Sequence, residues 1–352
     1  MGVVNRNYFL LSSLKEKLKD EEIIHIDFLP YDIKSFLRAI KYCNHLRKEH
    51  EIIKKKFLFT VFRDENVIIV AAPIYFISKE IFKTNLRKLL EEIKIKKTTS
   101  ISFNPLDTTF LDKKMFNHSH FDAVDNWMHH SAMNKKIKIL ERNYNKISKS
   151  ANSITTVSKP LLKLFYNNAH VVPNGVDSRN IKVNKDKEKN TVVYLGTIEE
   201  RFDIELLRFL AESFKDVQFY IIGPVWKSMQ KKVDDLKQLN NINFLGRKSF
   251  EESQELIKKY SVGIIPHVLS KFSESNDPMK IYDYLARGLN VVSTLPSQED
   301  VINKKIIVAT TKETFKEGLS IALRNGGNYD VTDVLANNTW KDRLEKIIAY
   351  AR

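Results

Sequence analysis

Residues Val192–Leu207 read VVYLGTIEERFDIELL. A short β-branched apolar run ends in Gly196, a polar loop carrying Arg201 follows, and from Asp203 the residues turn helical, through about Ser213. Strand, glycine, loop and helix in this order make one unit of an open α/β sheet, where ligands gather beyond the strand ends. The same unit recurs downstream. Strands are expected at Val217–Gly223, Ile242–Gly246, Val262–Pro266, Asn290–Thr294 and Ile306–Thr310. Helices are expected at Trp226–Leu239, Phe250–Lys259, Pro278–Ala286 and Lys312–Arg324, and a last one from about Val331 to Tyr350. Gly196, Gly223 and Gly246 each close a strand, and glycine lets a phosphate come close to the backbone.

Upstream the alternation is less regular. Candidate strands are Glu22–Phe28, Phe57–Phe62, Val67–Ala72, Thr99–Phe103, Phe121–Val124 and Ser153–Ser158. Helical patterns at Ile33–Lys48, Lys79–Ile93 and Ala132–Lys149 lie between several of them. The alternation argues for a parallel sheet covered on both faces. The best boundary falls near His170–Asn174, which predicts an N-terminal domain over 1–170, a C-terminal domain over 171–330 and a final helix over 331–352.

Composition separates the halves further. Of ten glycines, nine lie at or beyond Gly175, which puts the expected nucleotide site in the second half. The net charge is +15; residues 1–174 carry 30 Lys+Arg against 18 Asp+Glu, and residues 175–352 carry 28 against 25. The basic excess is either a solvated lysine-rich surface or a face for anionic lipid or an anionic acceptor. Basic and aromatic residues do not interleave and no nucleic-acid motif is present, so nucleic acid is not the expected partner. With Cys43 the only cysteine, no disulfide can form within the chain, and a cytoplasmic location is expected. No apolar run of about 18 residues is present, and the N-terminus does not read as a signal peptide.

An ordered set of motifs runs through PNGVD (Pro173–Asp177), VVYLGTIEERFDIELL, FYIIGP (Phe219–Pro224), NINFLGRKSFEE (Asn241–Glu252), VGIIPH (Val262–His267) and DPMKIYDYLARGLNVVST (Asp277–Thr294). In order and spacing it resembles the C-terminal domain of GT-B glycosyltransferases, closest to bacterial polysaccharide enzymes of the family-four type and to teichuronic-acid and xanthan-glucuronosyl transferases. The resemblance covers about Phe121 to the C-terminus and implies two Rossmann-like α/β domains facing a cleft. By this resemblance Lys280 reaches donor phosphate, Asp283 stands where an acid, usually Glu, holds the ribose hydroxyls, and Gly196 and Arg201 lie beside the diphosphate. Gly223 lines the cleft, and Gly246 and Arg247 contact the base. The family-four pattern has a Glu eight residues before the ribose acid; here that position is Ser275, next to Glu274.

The residues carry part of this reading by themselves. Asn276 or Asp277 can cap a helix with Pro278 in its first turn, and a helix start offers free N–H groups to an anion. Lys280 in that first turn opposes the helix dipole, and a bound diphosphate would account for it. Met279 and Asp283 are four apart, on one helix face. The bland alternative is a capped amphipathic helix packing Met279, Ile281, Tyr282 and Leu285. Arg201 could simply pair with Glu199, Glu200 or Asp203, and Arg247 could be a solvated loop residue. His267, at the end of IIPH, is a minor donor-site candidate.

HFDAVDNWMHH (His120–His130) resembles the segment of this family in which an acid follows a strand end and faces the cleft, and that resemblance makes Asp122 and Asp125 the candidate catalytic carboxylates; the bland alternative is that they cap or brace the following loop. An inverting enzyme needs a base for the acceptor hydroxyl; a retaining one does not. The neighbouring histidines show no metal-ligand spacing, so no metal or other cofactor is expected. The expected function is transfer of a sugar from a UDP-sugar, or second a GDP-sugar, to a saccharide or lipid-linked acceptor in surface polysaccharide synthesis, peripheral to the inner face of the membrane. The alternatives are a nucleotide-sugar epimerase on the same fold and a non-catalytic basic binding protein.

Overall fold

A computed structural model describes residues 5–19, 21–26, 29–94, 97–166, 169–179, 181, 183, 186–326 and 331–351. The C-terminal half is a six-stranded parallel sheet of β9 (Glu188–Leu195), β10 (Gln218–Ile222), β11 (Ile242–Gly246), β12 (Tyr260–Ile265), β13 (Asn290–Ser293) and β14 (Ile306–Val308), once the strands of the N-terminal half are numbered β1–β8. Its order is β11-β10-β9-β12-β13-β14. The direction of winding reverses between β9 and β12, and in such sheets the ligand crevice opens at that reversal. Successive strand residues alternate between two buried faces. Val192 and Tyr194 pack with the helices Ile204–Ser213 and Lys312–Asn325, whereas Val193 packs with Ile281, Tyr284 and Leu285 of the helix Met279–Leu285.

The N-terminal half holds two four-stranded sheets. One comprises β1 (Ile23–Ile26), β2 (Glu51–Lys56), β3 (Phe59–Asp64) and β4 (Val67–Ala71), in the order β1-β4-β3-β2. The other runs β5 (Thr99–Ser102), β6 (His118–Ala123), β7 (Ser153–Thr156), β8 (Ala169–Val171), all parallel. The expectation of a wholly parallel sheet is corrected here, because β2, β3 and β4 pair antiparallel. Two tight turns force this, with Leu58 (φ 50°) and Glu65 (φ 54°) in the left-handed region. Strand β2, EIIKKK, was not expected. It is an exposed edge strand with no apolar alternation, and its lysines blunt the edge. Phe28, assigned by sequence to the first strand, lies outside the described residues.

Two helices differ from expectation. Arg6–Lys17 forms an unexpected N-terminal helix, capped by Asn5, whose side-chain oxygen accepts from Tyr8 N at 3.2 Å. The last helix is not continuous. It splits into Thr332–Leu335 and Trp340–Tyr350, with Asn337 left-handed (φ 59°) between them and Thr339 capping the second piece. The N-terminal helix and Trp340–Tyr350 lie against each other through a shared apolar cluster of Phe9, Leu10, Val172, Trp340, Leu344 and Ile347. Phe9 stacks on Trp340 with ring centroids 5.1 Å apart and planes at 4°. Among the described residues no helix is long and apolar enough to cross a membrane.

Candidate functional site

The site is built at the C-terminal ends of β9 and β12. Gly196 follows β9 with φ +155°, and Gly223 follows β10 with φ +149°. A side chain at Gly223 would meet the Gly196 carbonyl oxygen at 2.0 Å, so the two strand ends touch through bare backbone. A side chain at Gly196 would meet Lys280 Cε at 2.4 Å, which places the lysine directly over the Gly196 backbone. Lys280 Nζ also lies 5.5 Å from the Tyr194 ring centroid. Among the described residues this ammonium has no hydrogen-bond or ion-pair partner. Burial pushes its pKa down to about 8, with Arg201 in the same direction and Glu199 and Asp283 opposing. A half-buried cation over exposed backbone at a sheet's switch point is chemistry for an anion.

Arg201 is different. It is ion-paired to Glu199, and its guanidinium lies 5.4 Å from the Phe272 ring centroid. The bland reading of Arg201, an ion pair within its own loop, is therefore the one the geometry contains, and Glu199 is a neighbour of the candidate site that sequence reasoning did not single out. Asp283 lies one helical turn beyond Lys280. Among the described residues its carboxylate has no hydrogen-bond partner, and burial pushes its pKa up to about 6. Met279 faces elsewhere in part: it packs against the apolar cluster that joins the two halves. Gly246 has φ +67°, with open space around it, and Arg247 beside it is exposed, so both sit at the rim. His267 is buried, and among the described residues its Nδ1 has no partner; burial and the nearby cations hold it well below the ordinary histidine range.

The expected cap is corrected. Pro278, not Asn276 or Asp277, occupies the N-cap position, and no side chain caps this seven-residue helix. Asp277 is instead drawn to the connection between the halves. Its Oδ2 accepts from Asn174 N at 2.7 Å and from Tyr282 Oη at 2.8 Å, and its Oδ1 from Gln298 N at 3.1 Å. Asn276 turns the other way, to the N-terminal half, where its amide nitrogen donates to Asp125 Oδ1 at 2.8 Å.

Asp125 thus faces the C-terminal half across the cleft. Burial pushes its carboxyl up to about 6, against the pull of Arg201 and with the push of Glu199. His130, in the following segment, meets Phe272 edge-on with ring centroids 5.0 Å apart. Asp122 does not share this position, and its assignment as a catalytic carboxylate is corrected. It is fully buried inside β6, bound by Arg6 Nε at 2.7 Å and Nη2 at 3.2 Å and by Thr155 Oγ1 at 2.7 Å. Strand alternation turns Asp122 into the molecule while Asp125, beyond the strand end, reaches the cleft. His118 and His120 bond Ser153 and Thr155. Among the described residues no three His, Cys, Asp or Glu side chains converge to hold a metal ion.

Comparison with known proteins bears on the fold and the family likeness. Residues 189–325 match the family described as Glycosyl transferases group 1. Over 138 residues the chain is 25% identical to TuaH of Bacillus subtilis, a glycosyltransferase named for teichuronic acid biosynthesis; the match spans 36% of this chain and 35% of that protein. The chain therefore aligns with about a third of the length of this relative. Among solved structures, a UDP-forming α,α-trehalose-phosphate synthase from Burkholderia xenovorans superposes with TM-score 0.62 at 10% identity, over 97% of this chain and 95% of the other. Anabaena HepE in complex with UDP superposes with TM-score 0.57 at 11% identity, over 94% and 95%. The fold is GT-B, and residues 189–325 match the group 1 glycosyl transferase family.

Proposed function

We propose that this chain is a glycosyltransferase that binds a nucleoside diphosphate sugar on its C-terminal half and passes the sugar to an acceptor in the cleft. The observation that carries this reading is the unpaired Lys280 ammonium over the Gly196 backbone, at the switch point of the sheet. In this reading Lys280 neutralises the diphosphate as it becomes the leaving group, a charge that preorganised donors stabilise best. Arg201 joins when the incoming phosphate competes with Glu199. Asp283 accepts from the ribose hydroxyls; being one methylene shorter than the usual Glu, it makes a longer or water-mediated contact. Gly223, Gly246 and Arg247 line the nucleoside end, and Met279 braces the helix that carries Lys280. Asp125 takes the acceptor proton if the enzyme inverts. No metal is part of this scheme.

UDP is the first choice and GDP the second; the UDP complex of HepE supports that order. The acceptor is a saccharide or a lipid-linked saccharide, and likeness to TuaH supports a role in surface polysaccharide synthesis. The basic N-terminal half is read as a cytoplasmic protein's face for an anionic membrane. On that half Lys55 and Lys56 are exposed on β2, beside Lys54, which is paired to Glu92. Calorimetry with UDP, GDP, ADP and CMP in EDTA tests the donor reading. Heat with UDP or GDP is the expected result, and no binding by any of the four would refute it.

A further inference from the structure

His267 lies in the floor of the candidate donor site, and the proposed chemistry leaves it unused. It follows β12, the strand next to β9 where the sheet reverses, and is 6% exposed. Its backbone is fixed from two sides. His267 N donates to Thr294 Oγ1 at 3.0 Å, just past β13, and Thr294 Oγ1 donates to the His267 carbonyl at 2.8 Å. On the other side the segment pairs with the loop that carries Arg201. Asp203 N donates to the Pro266 carbonyl and Val268 N to the Arg201 carbonyl, both at 2.8 Å. The imidazole meets Tyr194 with ring centroids 6.4 Å apart, the same ring that Lys280 Nζ approaches.

This imidazole is held in place but not satisfied. Among the described residues neither of its nitrogens makes a hydrogen bond; Nδ1 is sealed from solvent, and Nε2 is not. Tyr194 gives its hydroxyl proton to the Thr197 carbonyl at 3.1 Å. The charges that act on His267 are Lys280 and Arg201, both cations, and together with burial they keep it neutral. A neutral imidazole has one N–H, and the nitrogen that carries it is set by what the other can do. A sealed N–H without an acceptor is the costlier orphan, so Nδ1 is the bare acceptor and Nε2 carries the proton. The result is an N–H donor at the cleft side of the ring, beside two cations and with no acceptor of its own. A buried polar group left unmet in such a place calls for a ligand oxygen.

We propose that His267 is a catalytic residue whose Nε2–H hydrogen-bonds the β-phosphate of the donor nucleotide and tightens on the charge that this phosphate gains as the sugar departs. The inference rests on the donor reading and adds to it a group that acts on the leaving group. A nucleotide sugar carries one negative charge on each phosphate, and Lys280 and Arg201 supply one cation each. In transfer the bond from the anomeric carbon to the β-phosphate oxygen breaks, and its electron pair stays on that oxygen. The anomeric carbon bonds the acceptor oxygen, and the acceptor proton leaves to a base or to solvent. The phosphate then carries a further negative charge. A neutral donor meets that charge without adding a third cation to a buried site. Its bond is strongest once the sugar bond is broken, so it favours transfer over ground-state binding. His267 keeps its own proton throughout.

The test is calorimetry of the full chain in EDTA with UDP and with the β-methyl ester of UDP, which keeps both phosphates but cannot gain the further charge. A pH of about 7.5 keeps the terminal phosphate of UDP ionised; the matching GDP pair replaces these if the wild-type chain takes guanine. The wild-type chain should prefer the free diphosphate. His267→Phe keeps a ring and removes the donor, and His267→Asn sets its amide near the Nδ1 position, short of the ligand. Each should lose roughly tenfold or more in UDP affinity and much less in affinity for the ester. His267→Gln, whose amide nitrogen falls near the Nε2 position, should keep most of the preference. Melting temperatures identify the folded variants, and either of the first two suffices. Equal losses for both nucleotides, unchanged UDP affinity in a folded His267→Phe or His267→Asn protein, a His267→Gln protein no better than these, or a wild-type chain without the preference would each overturn the proposal. A wild-type chain that binds neither UDP nor GDP overturns the donor reading instead.

Discussion

Arg6 and Asp122, 116 residues apart, form a buried two-point ion pair at 2.7 and 3.2 Å. The remaining guanidinium donors bond the carbonyls of Val172 and Pro173 and the side chain of Asn174, so one arginine ties the N-terminal helix, β6 and the connection between the halves. Arg343 mirrors it from the C-terminal helix, donating to the Asn174 carbonyl at 2.9 Å and pairing with Glu299 at 2.9 Å.

Removing one partner of such a pair strands the other charge in the interior. Asp122→Ala should therefore cost about 3–5 kcal/mol of stability, measured by urea denaturation. Any variant protein that remains folded should bind UDP as the parent does. A fully stable Asp122→Ala protein that had lost only transfer activity would return Asp122 to the catalytic group.

Gly196→Ala tests the closeness of Lys280. The added methyl would fall 2.4 Å from Lys280 Cε and 2.9 Å from Nζ at a φ of +155°. The lysine, being the movable party, should be pushed off its position. Loss of one charge-assisted hydrogen bond predicts a tenfold or greater weakening of UDP binding in calorimetry. Unchanged affinity would mean that Lys280 does not reach the donor.

Asp283→Asn keeps size and removes charge. Because the native carboxylate has no internal partner among the described residues, folding should survive, with a melting temperature near the parent's. Nucleotide affinity should fall by about 1.5–3 kcal/mol, the worth of a charged hydrogen bond. A folded variant that binds UDP as tightly as the parent would make Asp283 an ordinary helix residue.

The two halves of the cleft should titrate in opposite senses. Asp125, pushed up to about 6 by burial, acts as a base only when deprotonated, so transfer should rise as pH passes 6. Lys280, pushed down to about 8 by burial, holds diphosphate only when protonated, so donor affinity should fall as pH passes 8. For an inverting enzyme kcat/KM should be bell-shaped between these limits. Asp125→Ala should abolish transfer while sparing UDP binding, and Lys280→Met should remove the alkaline fall in UDP affinity. Full transfer by Asp125→Ala would exclude it as the base.

Sequence by itself determined the second domain almost strand for strand. The central strands there, β9 from Val192, β12 and β13, are buried on both faces, so their residues are mainly apolar, and the runs of β9, β10 and β11 end at a glycine where the chain leaves the sheet. Local signals of that kind survive without tertiary context. With the family resemblance added, they also pointed to Gly196, Lys280, Asp283 and Asp125 as candidates, each at the end of an element or in the first turns of the next. What only the tertiary structure decided are the partners. Asp122 and Asp125 are three residues apart and chemically identical, yet one meets Arg6 from the far end of the chain and the other faces Asn276 across the cleft. The choice of Asp277 for Asn174 over a helix cap and the break at Asn337, where Asn338 accepts from Val176 N, belong to the same class. Each depends on groups brought together from distant sequence, whose desolvation and hydrogen bonding outweigh local propensity, and no local pattern encodes them.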